Sequence, residues 1–197
     1  MLKRLFDIIA SSIGLVILSP VFLLLALWIK CDSKGSVFYR QVRVGRGNKD
    51  FHLFKFRSMR TGSDRLGLIT VGGRDPRVTR SGYYIRKYKL DELPQLINVF
   101  IGDMSLVGPR PEVRRYVDLY NPEQMRVLEA RPGITSLASI RYRNENDLLA
   151  SSDNPDRTYI EQIMPDKVAI DLGYVENATF ANDIKIIFRT FAEIIKR

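Results

Sequence analysis

Two adjacent carboxylates, Asp91 and Glu92, lie in the segment Leu-Asp-Glu-Leu-Pro-Gln-Leu at residues 90–96, and Gly-Pro-Arg-Pro follows at residues 108–111. Arg110 therefore stands between two prolines. A proline has a fixed φ and also restricts the residue before it, so Arg110 is confined to a narrow conformational range. A confined guanidinium loses little entropy when it binds an anion. Carboxylates close in sequence to such an arginine predict a site for phosphate chemistry.

The local pattern around the two carboxylates predicts a short buried helix. Asp91 is a good N-cap residue, Pro94 suits a first turn, and Gly102 suits a C-terminal stop after apolar residues at helical spacing. The positive end of a helix favours an ionised Asp91 and any phosphate beside it. The alternative is structural: Asp91 only caps the helix, Glu92 is an ordinary first-turn acid and Arg110 is an ordinary loop arginine.

The composition narrows the class of partner. The chain of 197 residues is long enough for one domain with a core, and 31 Lys and Arg against 22 Asp and Glu give a net charge of +9. Such a balance points to an anionic partner: nucleic acid, anionic lipid or a phosphorylated substrate. The single cysteine excludes an intrachain disulfide, and the single histidine excludes a metal site built from several histidines.

The N-terminal segment decides between these partners. Residues 5–29 are almost uninterruptedly apolar and are near the length that crosses a bilayer, with basic residues at both flanks. No small-residue cleavage site follows, which disfavours a signal peptide. The basic flanks favour a placement of both ends of this segment on the cytoplasmic side of the membrane. Pro20 predicts a kink, and the Ser19 hydroxyl is a candidate partner for the backbone groups that the proline leaves without a hydrogen bond. We expect a re-entrant helix-break-helix at Ser19 and Pro20; a spanning helix and a buried core helix remain as alternatives.

The remaining pattern predicts an α/β protein of the α+β kind, mostly helical with a small sheet. Residues 1–31 are expected to form the membrane anchor and residues 32–197 the catalytic domain. Lys55 and Arg57 alternate with aromatic residues on the second predicted strand, a pattern that fits either bases or phosphates. The other expected elements are strands at 36–44, 50–59 and 134–142, a loop at 61–75, and helices at 80–88, 112–120, 122–130, 165–176 and 180–195, the last of these amphipathic and suited to a membrane surface or to the core.

Several of these motifs resemble the bacterial sugar transferase family, the monotopic phosphoglycosyl transferases. The resemblance covers most of the chain and rests on a specific combination of segments. They are residues 3–7 with Ser19 and Pro20, residues 75–80 with Arg86, and residues 90–99, 102–111 and 131–135.

The resemblance implies transfer of a sugar-1-phosphate from a UDP-sugar to polyprenyl (undecaprenyl) phosphate at the bacterial inner (cytoplasmic) membrane, on its cytoplasmic face. The catalytic pair falls on Asp91 and Glu92, with Asp91 forming a covalent phosphosugar intermediate and Mg²⁺ required. We expect Asp91 to contact the metal, while Glu92 acts as a base, orients the acceptor or helps to hold the metal. The candidates for binding the substrate phosphates are Lys55, Arg57, Arg86, Arg110 and Arg131.

One region departs from the family pattern. Residues 136–142 differ from it, whereas Arg143 and Asp171 line up with it and are further substrate-binding candidates. The departure indicates a difference in sugar or nucleotide recognition and leaves the donor sugar open. A non-catalytic adaptor that binds anionic lipids is the alternative function, and the apolar N-terminal segment disfavours a nucleic-acid binder. The oligomeric state is open.

Overall fold

A computed structural model describes residues 1–63 and 75–195, with side chains up to residue 193. The expected loop at 61–75 therefore falls mostly outside the described residues. The described chain is mostly helical, as the sequence predicts, but its strands form two small sheets instead of the one expected. Its helices are α1 (Leu2–Asp32), α2 (Arg80–Lys87), α3 (Gln95–Ile101), α4 (Arg114–Val117), α5 (Pro122–Met125), α6 (Leu137–Arg141), α7 (Glu145–Ala150), α8 (Pro155–Thr158), α9 (Met164–Glu176) and α10 (Phe180–Ile195).

The strands form two separate pairs. β1 (Phe38–Val44) and β2 (Asp50–Phe56) are antiparallel, in a register that places Tyr39 opposite Lys55. β3 (Ser105–Val107) and β4 (Gly133–Thr135) are parallel and short. The expected strand at 134–142 is wrong beyond Thr135, because Ser136 accepts a hydrogen bond from the Ser139 N–H and caps α6.

Helix α1 is the one helix in the described part of the chain that is long and apolar enough to cross a membrane by length and composition. It runs without interruption through Pro20, so the expected break at Ser19 and Pro20 is not seen as a gap in the helix. The Ser19 hydroxyl donates to the Val16 carbonyl at 2.8 Å. That carbonyl is the one that loses its usual N–H partner to Pro20, so Ser19 compensates for the proline as expected.

Both ends of α1 are tied to the same domain. At the N-terminal end, the Lys3 ammonium lies 2.6 Å from an Asp183 carboxylate oxygen. At the C-terminal end, the Asp32 carboxylate accepts from the Ser81 N–H and hydroxyl at 2.9 and 2.8 Å. Between these ends the helix leaves a row of apolar side chains exposed, which comprises Leu5, Ile9, Ile13, Val16, Ile17, Leu23, Leu24 and Leu27.

The interior is divided into several apolar clusters, and Leu90 and Leu93, on either side of Asp91 and Glu92, pack against one of them. One joins α1 to the rest of the domain through Ile29, Phe56 and Ile85. The largest lies under α9 and is built from residues that include Tyr116, Tyr159 and Val168. Burial of these side chains supplies about 25 cal/mol per Å² of apolar surface, and it fixes β2, α2 and α9 as rigid supports for the site.

Candidate active site

The two carboxylates lie on a tight turn rather than on the first turn of a helix. Lys89 has φ +57°, and this left-handed residue reverses the chain into a 3₁₀ turn over Leu90–Glu92. Helix α3 begins only at Gln95 after Pro94, so the prediction that Asp91 caps the helix is wrong. The predicted stop is confirmed, since Gly102 has φ +102°, a conformation that glycine adopts without strain.

Glu92 is held by two cations from distant parts of the chain. Its Oε1 lies 3.2 Å from the Lys55 ammonium of β2 and 2.5 Å from one guanidinium nitrogen of Arg110. A second Arg110 nitrogen donates to Oε2 at 3.3 Å, which makes the arginine contact bidentate. Burial alone raises the pKa of Glu92, but the Arg110 and Lys55 charges outweigh it and hold the pKa well below its usual range. Glu92 is therefore ionised at neutral pH.

Asp91 differs from Glu92 both in its contacts and in the direction of its pKa shift. Its residue is 8% exposed, and no described residue forms a hydrogen bond or ion pair with its carboxylate. Burial raises the pKa of Asp91; the Lys55 charge opposes this rise and the Glu92 charge adds to it, while Arg86 and Lys89 oppose it more weakly. The Asp91 carboxylate oxygens are therefore free to react, and they lie close to the fixed positive charges of Lys55 and Arg110.

The backbone of the Arg110 loop is held from two sides. The Arg110 N–H donates to Asp171 Oδ2 on α9 at 3.2 Å. Arg43 donates to the Pro111 carbonyl at 2.9 Å and to Glu112 Oε1 at 3.1 Å. Burial raises the pKa of Asp171 to about 6, against the opposing hydrogen bond from the Arg110 backbone. The rigidity that the two prolines predict is thus completed by contacts from β1 and α9.

The structure brings some of the predicted substrate-binding residues together and leaves others apart. Lys55 and Arg110 both contact Glu92, Asp171 holds the Arg110 backbone N–H, and the Arg86 charge lowers the pKa of Asp91. The Arg131 backbone packs against the Arg110 loop, because a Cβ on Gly108 would come within 2.2 Å of its carbonyl oxygen.

Two arginines have other partners. The buried Arg57 guanidinium donates to the carbonyls of Ser33 and Lys34, each at 2.7 Å, and closes the C-terminal end of α1. Arg143 is exposed and pairs with Glu193 on α10 at 2.5 Å. Their predicted contact with substrate stays a prediction.

Three supports of the site had no clear signal in the sequence. Lys89 adopts a positive φ although it is not glycine, and no local pattern marks it. Arg43 and Glu112 are two of many charged residues along the chain, and only their tertiary pairing connects them to the Arg110 loop. Glu112 Oε2 also accepts from the Tyr159 hydroxyl. An alternating strand pattern places Arg43 on one face of β1, but it does not identify the partner.

Several known bacterial proteins are similar to this chain over nearly its whole length. The chain is 40% identical over 98% of its length to a UDP-N-acetylgalactosamine-undecaprenyl-phosphate N-acetylgalactosaminephosphotransferase of Aeromonas hydrophila, and spans 44% of that relative. It is 36% identical over 98% of its length to a UDP-glucose:undecaprenyl-phosphate glucose-1-phosphate transferase of Caulobacter vibrioides, and spans 69% of it. The exopolysaccharide production protein PSS of Rhizobium leguminosarum is 40% identical and is spanned over 96% of its length. The family described as bacterial sugar transferase matches residues 1–197, and the chain belongs to that family.

Proposed function

We propose that this protein is a phosphoglycosyl transferase that moves a sugar-1-phosphate from a UDP-sugar to undecaprenyl phosphate, the first membrane step of surface glycan assembly. The observation that carries the proposal is the unpartnered, buried Asp91 carboxylate next to Glu92, Lys55 and Arg110. The relatives named above support the donor and acceptor classes, since two of them are named as transferases from UDP-sugars to undecaprenyl phosphate.

Asp91 is the nucleophile in this proposal. One carboxylate oxygen attacks the sugar-proximal phosphorus, the bond from that phosphorus to the bridging oxygen breaks, and UMP leaves with the electron pair. A phosphate oxygen of undecaprenyl phosphate then attacks the aspartyl phosphate, which releases the lipid-linked sugar diphosphate and restores the Asp91 carboxylate. Both attacking groups are oxyanions, so neither step needs a proton to be removed from the nucleophile.

Lys55 and Arg110 supply positive charge beside the reacting phosphates, and catalysis of phosphoryl transfer depends mainly on preorganised charge of this kind. Glu92 holds both cations in place. A carboxylate with a strongly lowered pKa is a poor proton acceptor at neutral pH. General-base catalysis, one of the roles that the sequence left open for Glu92, is therefore disfavoured, and its contacts favour a role that the sequence did not indicate, the positioning of these two cations.

The residues present fit a Mg²⁺ ion shared with the substrate. No group of three or more His, Cys, Asp or Glu suited to a metal occurs among the described residues. Mg²⁺ commonly takes one or two carboxylates and completes its shell with water and substrate phosphates, and the unpartnered Asp91 carboxylate is a suitable protein ligand. When bound there, Mg²⁺ would neutralise charge on the diphosphate.

The placement of α1 supports a monotopic membrane protein. Both helix ends are bound to the same domain through Lys3 and Asp32, so they stay on one side of a bilayer in this arrangement. The exposed apolar row between them is suited to lipid. We propose that α1 enters the inner membrane from the cytoplasmic face as a re-entrant helix, with Ser19 and Pro20 near its deepest point.

The test is UMP release from a panel of UDP-sugars by the full chain in lipid nanodiscs with undecaprenyl phosphate and Mg²⁺. We expect release by the wild type, no release by Asp91→Asn, and a phosphosugar adduct on the Asp91 peptide by mass spectrometry when the acceptor is omitted. Asp118→Asn is the matched control, because Asp118 is exposed on another helix end. A wild type that binds anionic vesicles but releases no UMP from any donor would support the lipid-binding adaptor instead.

A further inference from the structure

Asp7 is a buried carboxylate on the apolar helix α1, and the chemistry proposed above does not use it. Its residue is 1% exposed, and Oδ1 accepts from the Leu106 backbone N–H at 3.0 Å. Oδ2 has no hydrogen-bond partner in the described part of the chain. A buried, incompletely paired carboxylate is costly, so its presence on this helix needs a physical reason.

The edge of β3 that does not face β4 explains why a carboxylate is buried at position 7. The N–H groups of Ser105 and Gly108 bond to the carbonyls of Pro132 and Thr135 on the β4 side, at 2.8 and 3.1 Å. The Leu106 N–H between them points to the opposite edge, where Asp7 meets it. A buried N–H without a partner is expensive, so α1 supplies the partner that a two-stranded sheet lacks.

Lys3 makes a second contact with the same strand. Its ammonium donates to the Val107 carbonyl at 2.9 Å and is itself held by Asp183 at 2.6 Å. Two consecutive residues of β3 are thus bound by two side chains one helical turn apart on α1, so the strand is fixed in both position and direction relative to the helix.

The segment of chain between this strand and the candidate active site is short. Only Gly108 and Pro109 lie between Val107 and Arg110. Gly108 is packed so closely that a Cβ there would meet the Arg131 carbonyl oxygen at 2.2 Å, and the Pro109 carbonyl accepts from the Gly133 N–H at 2.8 Å. A displacement of β3 is therefore passed on to Arg110.

We propose that Asp7 and Lys3 are positioning residues that, through β3, hold the Arg110 guanidinium against Glu92. The membrane helix then acts as a structural part of the active site as well as an anchor. The inference rests on the proposed transferase function for its kinetic consequence, but the hydrogen bond itself can be tested without turnover.

The experiment compares Asp7→Ala and Asp7→Asn with Ser11→Ala in the full chain in nanodiscs. Ser11 is a matched control because it is buried on the same helix and, among the described residues, its hydroxyl bonds only to the Ile8 carbonyl of α1. Hydrogen–deuterium exchange of the peptide covering residues 105–110 is the first measurement. We expect faster exchange in Asp7→Ala, and exchange close to wild type in Asp7→Asn, which keeps a side-chain oxygen, and in Ser11→Ala.

Turnover is the second measurement. A shift of about 1 Å in a catalytic group costs about 100-fold, so we expect kcat for UMP release to fall about 10- to 100-fold in Asp7→Ala, with a smaller change in KM. Asp7→Asn should stay within about threefold. In an Arg110→Lys background the loss from Asp7→Ala should shrink, because two residues acting through one contact are not additive. A purely structural role predicts losses that multiply.

Unchanged exchange at 105–110 in Asp7→Ala, or fully multiplicative losses, would overturn the inference. If Asp7→Ala does not fold, Lys3→Met replaces it, since Lys3 is partly exposed and its loss leaves Asp7 in place; it should also accelerate exchange there. A wild type without UMP release would refute the transferase proposal, and exchange would still decide the role of Asp7.

Discussion

Replacing Glu92 by Gln tests the electrostatic design of the site, because the change removes one charge and almost no volume. In the native protein this carboxylate pairs with Lys55 at 3.2 Å and with Arg110 at 2.5 Å, and the three side chains are between 17% and 32% exposed. The variant leaves two neighbouring cations without their shared anion. It also removes the negative charge that raises the pKa of Asp91.

The expected loss of stability follows from these contacts. Removing one partner of a buried ion pair costs about 3–5 kcal/mol, and Gln keeps an oxygen that accepts from Lys55 or Arg110, so the lower end, about 3 kcal/mol, applies. For a chain of this size each kcal/mol shifts Tm by about 2–4 °C, which gives a fall of roughly 6–12 °C. Glu176→Gln is the matched control: its pair with Arg126 is half exposed and is worth about 0–1 kcal/mol.

The sign of the pH effect distinguishes this explanation from simple unfolding. Loss of the Glu92 charge removes a contribution that raises the pKa of Asp91, so the acidic limb of the kcat/KM profile for UMP release should move to lower pH in Glu92→Gln. We expect kcat at neutral pH to fall about 10- to 100-fold as Arg110 loses its fixed position. An acidic limb that stays in place or moves to higher pH, or a Tm within 4 °C of wild type, would refute the proposed role of Glu92.

Three further predictions follow from the same structure. Asp91→Asn should abolish UMP release, while its Tm at pH 7 equals or exceeds that of wild type. Burial raises the pKa of Asp91 in the folded state above its value in the unfolded state. The folded wild type therefore loses stability as the pH rises from the unfolded-state pKa through the folded-state pKa, and Asn avoids this loss. Differential scanning fluorimetry checks this, and a clear loss of Tm would contradict it. Arg110→Lys should lower kcat/KM about 100-fold because it loses the bidentate contact with Glu92, whereas Arg143→Lys, on the exposed pair with Glu193, should change it less than threefold. Arg57→Met should lower the free energy of unfolding by about 2–4 kcal/mol, because its hydrogen bonds to the end of α1 are lost. We expect KM for the donor to stay unchanged. A tenfold rise in KM with unchanged Tm would instead assign Arg57 to substrate binding.

Local patterns in the sequence predicted the structure correctly where it depended on residues within a single helix, strand or turn. The first two predicted strands, the helix carrying Asp171 and the stop at Gly102 are confirmed, because periodicity and glycine act within a few residues. The strand expected at 134–142 is wrong past residue 135, since the short strand and the following helix α6 have similar apolar content and only the Ser136 cap separates them. The predicted pair of helices at 112–120 and 122–130 is shortened to α4 and α5, with a 3₁₀ turn after the second.

The sequence by itself determined the candidate reactive groups, the basic balance, the apolar helix α1 and the family, because each of these depends on residue types and short spacings. Only the tertiary structure decided which cations meet Glu92. Lys55 and Arg110 lie 37 and 18 residues from it along the chain, and Arg57, two residues beyond Lys55, turns to the end of α1 instead. The physical reason is that a charge selects its partner by distance and burial in the folded state, and no periodicity along the chain encodes either quantity.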